Sequence, residues 1–474
     1  MYRKRDRNQM MLTGFELPFG GGLRANNRWV KLAEIMPWEM IEDIYAATFK
    51  AETEEGRPPI PSRIAFGSLY IKENENFPDE RTLEHIAENA YMQYFLGLPE
   101  FHPEPLFDPS MMTWFRKRFT ARDIERINEE IYRRTHPPKE EPPGAGGNKG
   151  TLVLDATVAP ADVRYPTDLS LLNECRENTE KMIDKVWPQS DRQGHKTAYN
   201  RKKARKGYLA VQKQRKPRKK VITRAIKQQL DCVEKNLGTL GKLLTQTGMD
   251  ALTDRQWERL KTICQVARQQ RKHLADPKAI IPNRIVNLRQ PHVRPIVRGK
   301  AGTPVEFGQK LAFSVVNGYT FIDVQGWDNF SEGITLQASA EKYRQRHGFY
   351  PEAILADQTY RNRENLAFCK KHGIRLSGPR LDRSKAAEME ADKAQAYRDN
   401  CGRNIVENRN SVAKRRYGLD RIMAWLPQTS LTEAALNVLC MNVAHLARLL
   451  LRLLEFYLFS WPRSHLVFIS SLHT

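Results

Sequence analysis

The spacing of apolar and polar positions predicts a mostly helical first third of the chain. In residues 1–136, apolar residues recur at the three- to four-residue spacing that gives a helix one buried face. We expect four helices there: one from Pro37-Trp38 through Phe49, one over Ser62–Lys72 with Ser62 as N-cap, one from about Glu80 to Phe95, and one after Pro109-Ser110. Residues 137–150 are rich in Pro and Gly and predict a linker.

Strand signals begin directly after the linker. Thr151–Val158 is rich in β-branched and aliphatic residues, which predicts a buried strand that contains Asp155. No strand signal follows in residues 165–300. A helical pattern over Val221–Leu274, interrupted at Gly238 and Gly248, indicates a helical insertion at about 166–300.

The last part of the pattern alternates between strands and helices. Asn317-Gly318 joins two apolar runs and is a strong hairpin signal. The elements expected here are strands at Gln309–Val316 and Tyr319–Gln325, a helix at Gln337–His347, a strand at Glu352–Ala356, a helix at Arg363–His372 capped by Gly373, and a strand at Ile374–Ser377. This order predicts a mixed α/β sheet with helices packed against it.

The charge of the chain favours a polyanionic partner. The net charge is +22, and the run from Arg192 to Leu230 contains no acidic residue. A solvated helix surface or a flexible arm would also account for such a run. Its sign bias and the interleaved Tyr199 and Tyr208 favour contact with the DNA backbone, which binds without sequence preference.

The cysteines and the chain ends bear on the metal site, the compartment and the membrane. The six cysteines form no Cys-x-x-Cys pair and have no accompanying His cluster, so we expect no zinc site and a reducing compartment. We expect no signal peptide and no membrane span, because charged residues interrupt the apolar stretch Leu446–Trp461. A cytoplasmic protein is predicted, with an apolar tail at 446–474 of unassigned role.

Three carboxylates suggest a metal site. Asp155 and Asp357 each close an apolar run, and a helix would bring Glu407 onto one face with Arg403, Asn410 and Lys414. Hard oxygen ligands suit Mg²⁺ or Mn²⁺, and two such ions about 4 Å apart can drive phosphodiester chemistry. Each aspartate could instead be a turn or cap residue, and Glu407 could form a surface pair with Arg403. The spacing alone does not choose between these carboxylates and many others, among them Asp162, Asp168, Asp323 and Asp328.

Specific motifs in residues 61–118 and 151–445 resemble those of DDE-type bacterial insertion-sequence transposases, which have a ribonuclease H-like catalytic core. The motifs are a Glu-x6-Lys signature from Glu407 to Lys414 with Arg403 before it, the strands Val153–Thr157 and Ile354–Tyr360, and the N-terminal words Glu88–Leu98, Phe107–Ser110 and Phe115–Arg118. Where the family signature places a Tyr three residues before the Arg, this chain has Asn400.

The resemblance implies a fold, a metal site and a reaction. It implies a ribonuclease H-like mixed sheet with a helical insertion, preceded by an all-α N-terminal domain for DNA binding or dimerisation. Asp155, Asp357 and Glu407 would be the catalytic residues and the metal ligands. They would bind two ions, either Mg²⁺ or Mn²⁺. The residues expected to contact DNA are Arg403, Lys414, Arg415 and Arg416 near the scissile bond, and Arg201, Lys202, Lys203, Arg205, Lys206, Arg218, Lys219 and Lys220 in the insertion.

The expected function is transposition of an insertion sequence. The protein would bind terminal inverted repeats of double-stranded DNA as a homodimer or a larger synaptic complex, associated with the nucleoid. It would then cleave DNA and transfer the strand. Base-specific recognition is better assigned to the N-terminal domain than to the basic run. Two alternatives remain open: an inactive or regulatory DNA-binding derivative, and a ribonuclease H-like nuclease without strand transfer.

Overall fold

A computed structural model describes residues 15–17, 21–49, 58–137, 147–190, 194–297, 305–378 and 386–460. Side chains of 386–392 and 451–460 are not among the described parts. Most of the predicted linker, Arg192 of the basic run and the tail beyond Ser460 lie outside the described residues. Within the described residues no helix is both long enough and apolar enough to cross a membrane.

Before the sheet, the regular secondary structure of the described residues is helical, apart from one isolated β-bridge. They are α1 (Arg28–Ile35), α2 (Trp38–Ala46), α3 (Ser62–Glu75), α4 (Asp79–Glu88), α5 (Ala90–Phe95), α6 (Met111–Arg118) and α7 (Ala121–Thr135). The predictions of α2, α3 and α6 are confirmed. Thr120 and Asp123 form a capping box that starts α7, a helix absent from the sequence-based prediction.

Two local predictions in this region are wrong. Ser62 does not cap α3; it is the first helical residue, and its hydroxyl donates to the Glu42 carboxylate. The predicted helix from Glu80 to Phe95 is two helices, because Asn89 adopts an extended conformation between them. The Asn89 side chain accepts from the backbone N–H groups of Tyr91 and Met92, at 3.0 and 3.2 Å, and so starts α5.

The sheet has six strands and is mixed. They are β1 (Thr151–Pro160), β2 (Arg294–Val297), β3 (Val305–Val316), β4 (Tyr319–Gly326), β5 (Ala353–Leu355) and β6 (Arg375–Leu376). β3 runs antiparallel to β1 on one side and to β2 and β4 on the other. β5 and β6 extend the sheet from β1 in parallel. This is the ribonuclease H-like α/β sheet that the sequence predicted.

The hairpin between β3 and β4 has the expected turn. Asn317 and Gly318 have φ values of 50° and 81°, the left-handed pair that a two-residue hairpin requires. A Cβ added at Gly318 would lie 2.6 Å from Nε2 of His445, so the turn also packs closely. The helix predicted at Gln337–His347 is α12 (Leu336–His347), and the helix predicted at Arg363–His372 is α13 (Arg363–Lys371).

The insertion is helical, with two corrections. Its helices are α8 (Asp168–Val186), α9 (Arg201–Gln212), α10 (Lys219–Thr247) and α11 (Asp254–Ala275). Gly238 does not interrupt α10, which runs through it. It lies on an open side of the helix, where an added Cβ would meet nothing within 4 Å. The region is not free of strands either, because Arg294–Val297 forms β2 against β3.

Two long helices close the fold. α14 (Ala386–Tyr417) packs on β1, β3 and β5, and α15 (Pro427–Ser460) packs on α3, α6, α7, α14 and β4. α15 continues without a break through residue 446, where the apolar tail was expected to begin. Asn442 of α15 donates to Thr320 O at 2.6 Å and to Asn128 of α7 at 2.8 Å, which fixes the N-terminal helices to the sheet.

Candidate active site

Two of the predicted carboxylates belong to neighbouring parallel strands, one within its strand and the other just beyond its end. The β1–β5 register pairs Val153 with Leu355. Carried two residues further, that register sets Asp155 opposite Asp357, just past the last residue of β5. Residues two apart along a strand share a face. The pairing of β1 with β5 therefore brings both aspartates near the carboxyl end of β5.

The two aspartates differ in their surroundings. Asp155 lies within β1 and is half-buried, whereas Asp357 is exposed. The Asp357 carboxylate accepts from the backbone N–H of Gln358 at 2.6 Å and caps the short 3₁₀ helix Gln358–Tyr360. The cap interpretation of Asp357 is thus correct in this structure, and it is compatible with a ligand role because a carboxylate has further acceptor sites.

α14 crosses the sheet and is anchored to three strands. Arg375 of β6 donates to both oxygens of Asp399, at 2.7 and 2.9 Å. Gly402 packs so closely on Leu355 of β5 that an added Cβ would lie 2.6 Å from its Cδ1. Nearer the C-terminal end of the helix, Asn410 Nδ2 donates to Asp155 Oδ2 on β1 at 2.5 Å.

Glu407 lies on α14 between the anchors at Gly402 and Asn410 and is exposed. Val406 and Ala413 are buried and form the face of α14 that packs on the body of the protein. Glu407 and Arg403 lie together on one side of that face, as the helical spacing predicted. The third carboxylate is therefore carried by the helix that bridges the strands of the other two.

The cations expected near the scissile bond lie along the same helix. Arg403 is half-buried, and its Nε is enclosed without a hydrogen-bond partner among the described residues. Lys414 is half-buried, while Arg415 and Arg416 are exposed in the last turn of α14. Cations in the last turn of a helix are favoured by the helix dipole.

Negative charge collects beside Asp155. Burial raises the pKa of the Tyr360 phenol, and the negative charges of Glu332 and Asp155 raise it further. Tyr360 is fully buried and lies three residues after the second predicted aspartate. The carboxylates of Glu332 and Asp155 therefore both act on the same buried phenol.

The structure does not close the three carboxylates into a ligand cluster. Among the described residues, no group of three His, Cys, Asp or Glu side chains could hold a metal ion. Carboxylates repel one another, and Asp155 and Asp357 each accept a hydrogen bond from the chain instead. The donor chemistry still fits Mg²⁺ or Mn²⁺, because three elements that pack together each carry one carboxylate, a hard oxygen donor.

The basic residues of the insertion divide into paired and exposed cations. Arg201 donates to Asp184 at 2.7 Å, and Lys196 lies 3.5 Å from the same carboxylate. The remaining predicted DNA contacts are exposed, on α9 and around the start of α10: Lys202, Lys203, Arg205, Lys206, Arg218, Lys219 and Lys220. The first turn of α10 contains no acidic residue, so its positive end adds to the cationic surface.

Two further features of the site have a signal in the sequence. Helical spacing places Asn410 on the face with Arg403 and Glu407, and Asn410 contacts Asp155 directly. Gly402 stands inside a long helix, where glycine is unfavourable unless a close contact requires it. Its packing on Leu355 supplies that reason.

Comparison with known proteins assigns two regions of the chain. Residues 354–444 match the family described as the transposase DDE domain, and residues 21–118 match the transposase domain DUF772. An uncharacterized protein, ORF8 in the nfe locus of Rhizobium meliloti, is 29% identical over 145 residues. That match covers 30% of this chain and 66% of the relative, just under two thirds of its length. No solved structure matches the chain significantly.

The two matched regions coincide with parts of the site and of the helical beginning. The DDE-domain match contains Asp357, Glu407 and the anchors of α14, and the DUF772 match contains α1 to α6. Asp155 lies outside both matches, on the strand that pairs with β5, which ends two residues before Asp357. Both regions of the chain are therefore similar to domains of DDE-type insertion-sequence transposases.

Proposed function

We propose that this protein is a metal-dependent DNA transposase that cleaves the ends of an insertion sequence and transfers them to target DNA. The observation that carries the proposal is the parallel pairing of the strands that lead to Asp155 and Asp357, crossed by the helix of Glu407. Its substrates are the terminal inverted repeats and the target duplex. Two or more copies of the chain would hold the two ends together.

Asp155, Asp357 and Glu407 would hold one or two Mg²⁺ or Mn²⁺ ions. When bound there, such ions activate a water or a 3′-hydroxyl and stabilise the charge on the leaving oxygen. The chain itself orients these carboxylates. Asn410 holds one oxygen of Asp155, and the backbone N–H of Gln358 holds Asp357.

The cations of α14 position the DNA. Arg403 and Lys414 flank Glu407 by about one and two helical turns, so they can contact phosphates on either side of the scissile bond. Arg415 and Arg416 extend that contact past the end of the helix. In-line phosphoryl transfer depends mostly on such positioning and charge neutralisation, and no side-chain nucleophile is required.

The insertion supplies affinity for DNA without sequence preference. Seven of its eight predicted contact residues are exposed, whereas Arg201 is engaged by Asp184 and contributes to the fold of the insertion. Each exposed cation that neutralises a phosphate releases counterions, which makes binding depend steeply on salt. Base-specific recognition of the repeats is assigned to the N-terminal helices.

The catalytic proposal is tested by cleavage and joining on linear DNA that carries the flanking ends of the element. Wild type, Asp155→Asn, Asp357→Asn and Glu407→Gln are compared with Mg²⁺, Mn²⁺ or EDTA. Asp420→Asn is the matched control, since Asp420 is an exposed carboxylate just beyond α14. We expect metal-dependent nicking and joined products from wild type and the control, and neither product from the three site variants with DNA binding retained.

The same assay separates the two alternatives. Cleavage without joined products would replace the transposase with a nuclease of the same fold. DNA binding with no cleavage by any protein would indicate a regulatory derivative. Normal cleavage by Asp357→Asn would contradict the metal-ligand assignment itself.

The DNA-contact proposal is tested by the salt dependence of binding. Replacing Lys202, Lys203, Arg205 and Lys206 with Ala removes four exposed cations of α9. We expect the slope of log affinity against log salt to fall by up to about 0.9 per lost phosphate contact. The control replaces four exposed cations of α11 with Ala: Arg255, Lys261, Arg268 and Lys272. Equal slopes for both variants would remove α9 from the DNA interface.

A further inference from the structure

We infer that Asn410 is a positioning residue that orients Asp155 and completes the outer shell of a divalent cation held there. The inference rests on the proposed function, because it concerns the same carboxylate. Its basis is the 2.5 Å hydrogen bond from Asn410 Nδ2 to Asp155 Oδ2, which joins α14 to β1 across 255 residues of sequence.

The direction of that hydrogen bond follows from chemistry. An ionised carboxylate only accepts hydrogen bonds, so the Asn410 amide must present its nitrogen to Asp155. The Oδ1 atom of Asn410 then faces away from that carboxylate. Oδ1 is enclosed and has no hydrogen-bond partner among the described residues.

A neutral donor suits a carboxylate that binds a cation. An amide fixes the orientation of Asp155 without neutralising its charge, so the second carboxylate oxygen keeps its attraction for a metal ion. An Asp or Glu at position 410 would repel Asp155. An apolar residue would leave the orientation of the Asp155 side chain unrestrained on this side.

The Oδ1 atom of the Asn410 amide indicates a missing donor. A buried carbonyl oxygen without a donor is unfavourable until something donates to it. Mg²⁺ and Mn²⁺ sites of this type keep several coordinated waters, and a water is the donor that Asn410 Oδ1 lacks. Residues that hold metal ligands from the outer shell commonly change metal affinity by 10- to 100-fold when they are replaced.

Asn410 also sets the distance between two of the proposed ligands. It lies on α14 one turn after Glu407, and its contact with Asp155 holds that turn against β1. The buried Val406 and Ala413 on the same helix provide apolar packing, but an apolar contact does not fix the direction of a carboxylate. The hydrogen bond therefore links Glu407 to Asp155 through one helical turn.

The test measures Mn²⁺ affinity of the full-length protein by electron paramagnetic resonance, beside cleavage activity, DNA binding and melting temperature. We expect Asn410→Ala to raise the Mn²⁺ Kd by about 10- to 100-fold, with DNA affinity unchanged. The Mn²⁺ concentration for half-maximal cleavage should rise by the same factor. Asn404→Ala is the control, because Asn404 is an exposed asparagine on the same helix, and it should match wild type.

Asn410→Asp guards against a simple packing defect, since it keeps the size of the side chain. We expect this variant to melt at a lower temperature than wild type without metal, through repulsion from Asp155, and to gain more from Mn²⁺ than wild type does. A Mn²⁺ Kd for Asn410→Ala within twofold of wild type, or an equal Mn²⁺ response of Asn410→Asp and wild type, would overturn the inference. Failure of wild type to bind Mn²⁺ or to cleave DNA would instead reject the proposed function.

Discussion

The insertion and the rest of the protein are built on different kinds of core. The rest of the protein, called the body below, comprises α1–α7, the sheet and α12–α15. Its buried apolar residues form one continuous cluster from Phe15 to Leu446. The insertion, α8–α11, has three smaller clusters, each between neighbouring helices.

The two regions also treat polar side chains differently. The core of the insertion contains Arg176, which is 1% exposed and bonds to Gln229 at 2.9 Å and Glu180 at 2.6 Å. The body buries charged groups at the seam between its N-terminal helices and the remainder. Lys72 lies 2.7 Å from Glu73 and 4.0 Å from Glu433 of α15.

The chain enters and leaves the insertion at nearly the same point. Gln290 Nε2 donates to Asp162 O at 3.2 Å, so the two ends of the segment meet beside β1. Close ends and separate cores are the properties of a unit that can fold by itself. The three carboxylates therefore depend on the shared core of the body. The basic surface depends only on the helices of the insertion and on their attachment beside β1.

The largest expected effect would separate these two cores. Leu230→Ala removes a fully buried side chain of the insertion, and Phe313→Ala removes one from the sheet. Each should lower the free energy of unfolding of its own region by about 2–5 kcal/mol. We expect calorimetry to resolve two transitions, with Leu230→Ala shifting one and Phe313→Ala shifting the other.

A single transition that both variants shift equally would contradict the separate unfolding of the two regions. It would mean that the insertion and the body unfold as one cooperative unit despite their separate apolar clusters. An exposed substitution in each region, Lys261→Ala and Lys371→Ala, should shift neither transition and serves as the control.

The sequence predicted most elements of the sheet because their signals are local. Asn317-Gly318 specifies its turn through two left-handed residues, and the apolar runs before Asp155 and Asp357 are strands in the structure. β2 had no such signal: it has four residues, includes Pro295, and exists through its pairing with β3. Its formation depends on a contact that local sequence does not encode.

Local sequence patterns named the candidate site residues, but they did not show how the fold brings those residues near one another. Helical spacing correctly grouped Glu407 with Arg403 and Asn410. The approach of Asp155 to Asp357 instead depends on the parallel pairing of two strands distant in sequence. The contact of Asn410 with Asp155 joins elements 255 residues apart. A motif can name such residues, whereas their distances come from the packing of α14 across the sheet.

The next expected effect concerns the seam within the body. Burial raises the pKa of Glu125 to about 8, against the opposing charges of Lys342 and Arg346 and with Glu129 adding to the rise. The stability that arises from this raised pKa of Glu125 is therefore fully present below the ordinary glutamate pKa, and it is lost as pH rises through about 8. Glu125→Gln should remove this part of the pH dependence, because the amide stays neutral at every pH. Above pH 8 the variant should be more stable than wild type, by roughly 1–3 kcal/mol.

Chemical denaturation from pH 5 to pH 9 would measure that change. Glu129→Gln is the comparison variant, since Glu129 also contacts Arg346 but is half-exposed. It should leave most of the pH dependence in place. Parallel curves for wild type and Glu125→Gln would mean that the Glu125 carboxyl does not bind its proton in this range.

The smallest expected effect compares one helix cap in each region. Asn89 starts α5 of the body by accepting from two backbone N–H groups, and Thr253 starts α11 of the insertion through a capping box with Gln256. Each change to Ala should cost about 1 kcal/mol. If the cores are separate, Asn89→Ala lowers only the transition of the body, and Thr253→Ala lowers only that of the insertion. Because a cap acts within one helical turn, a shift of both transitions by either variant would reveal coupling that the separate apolar clusters do not explain.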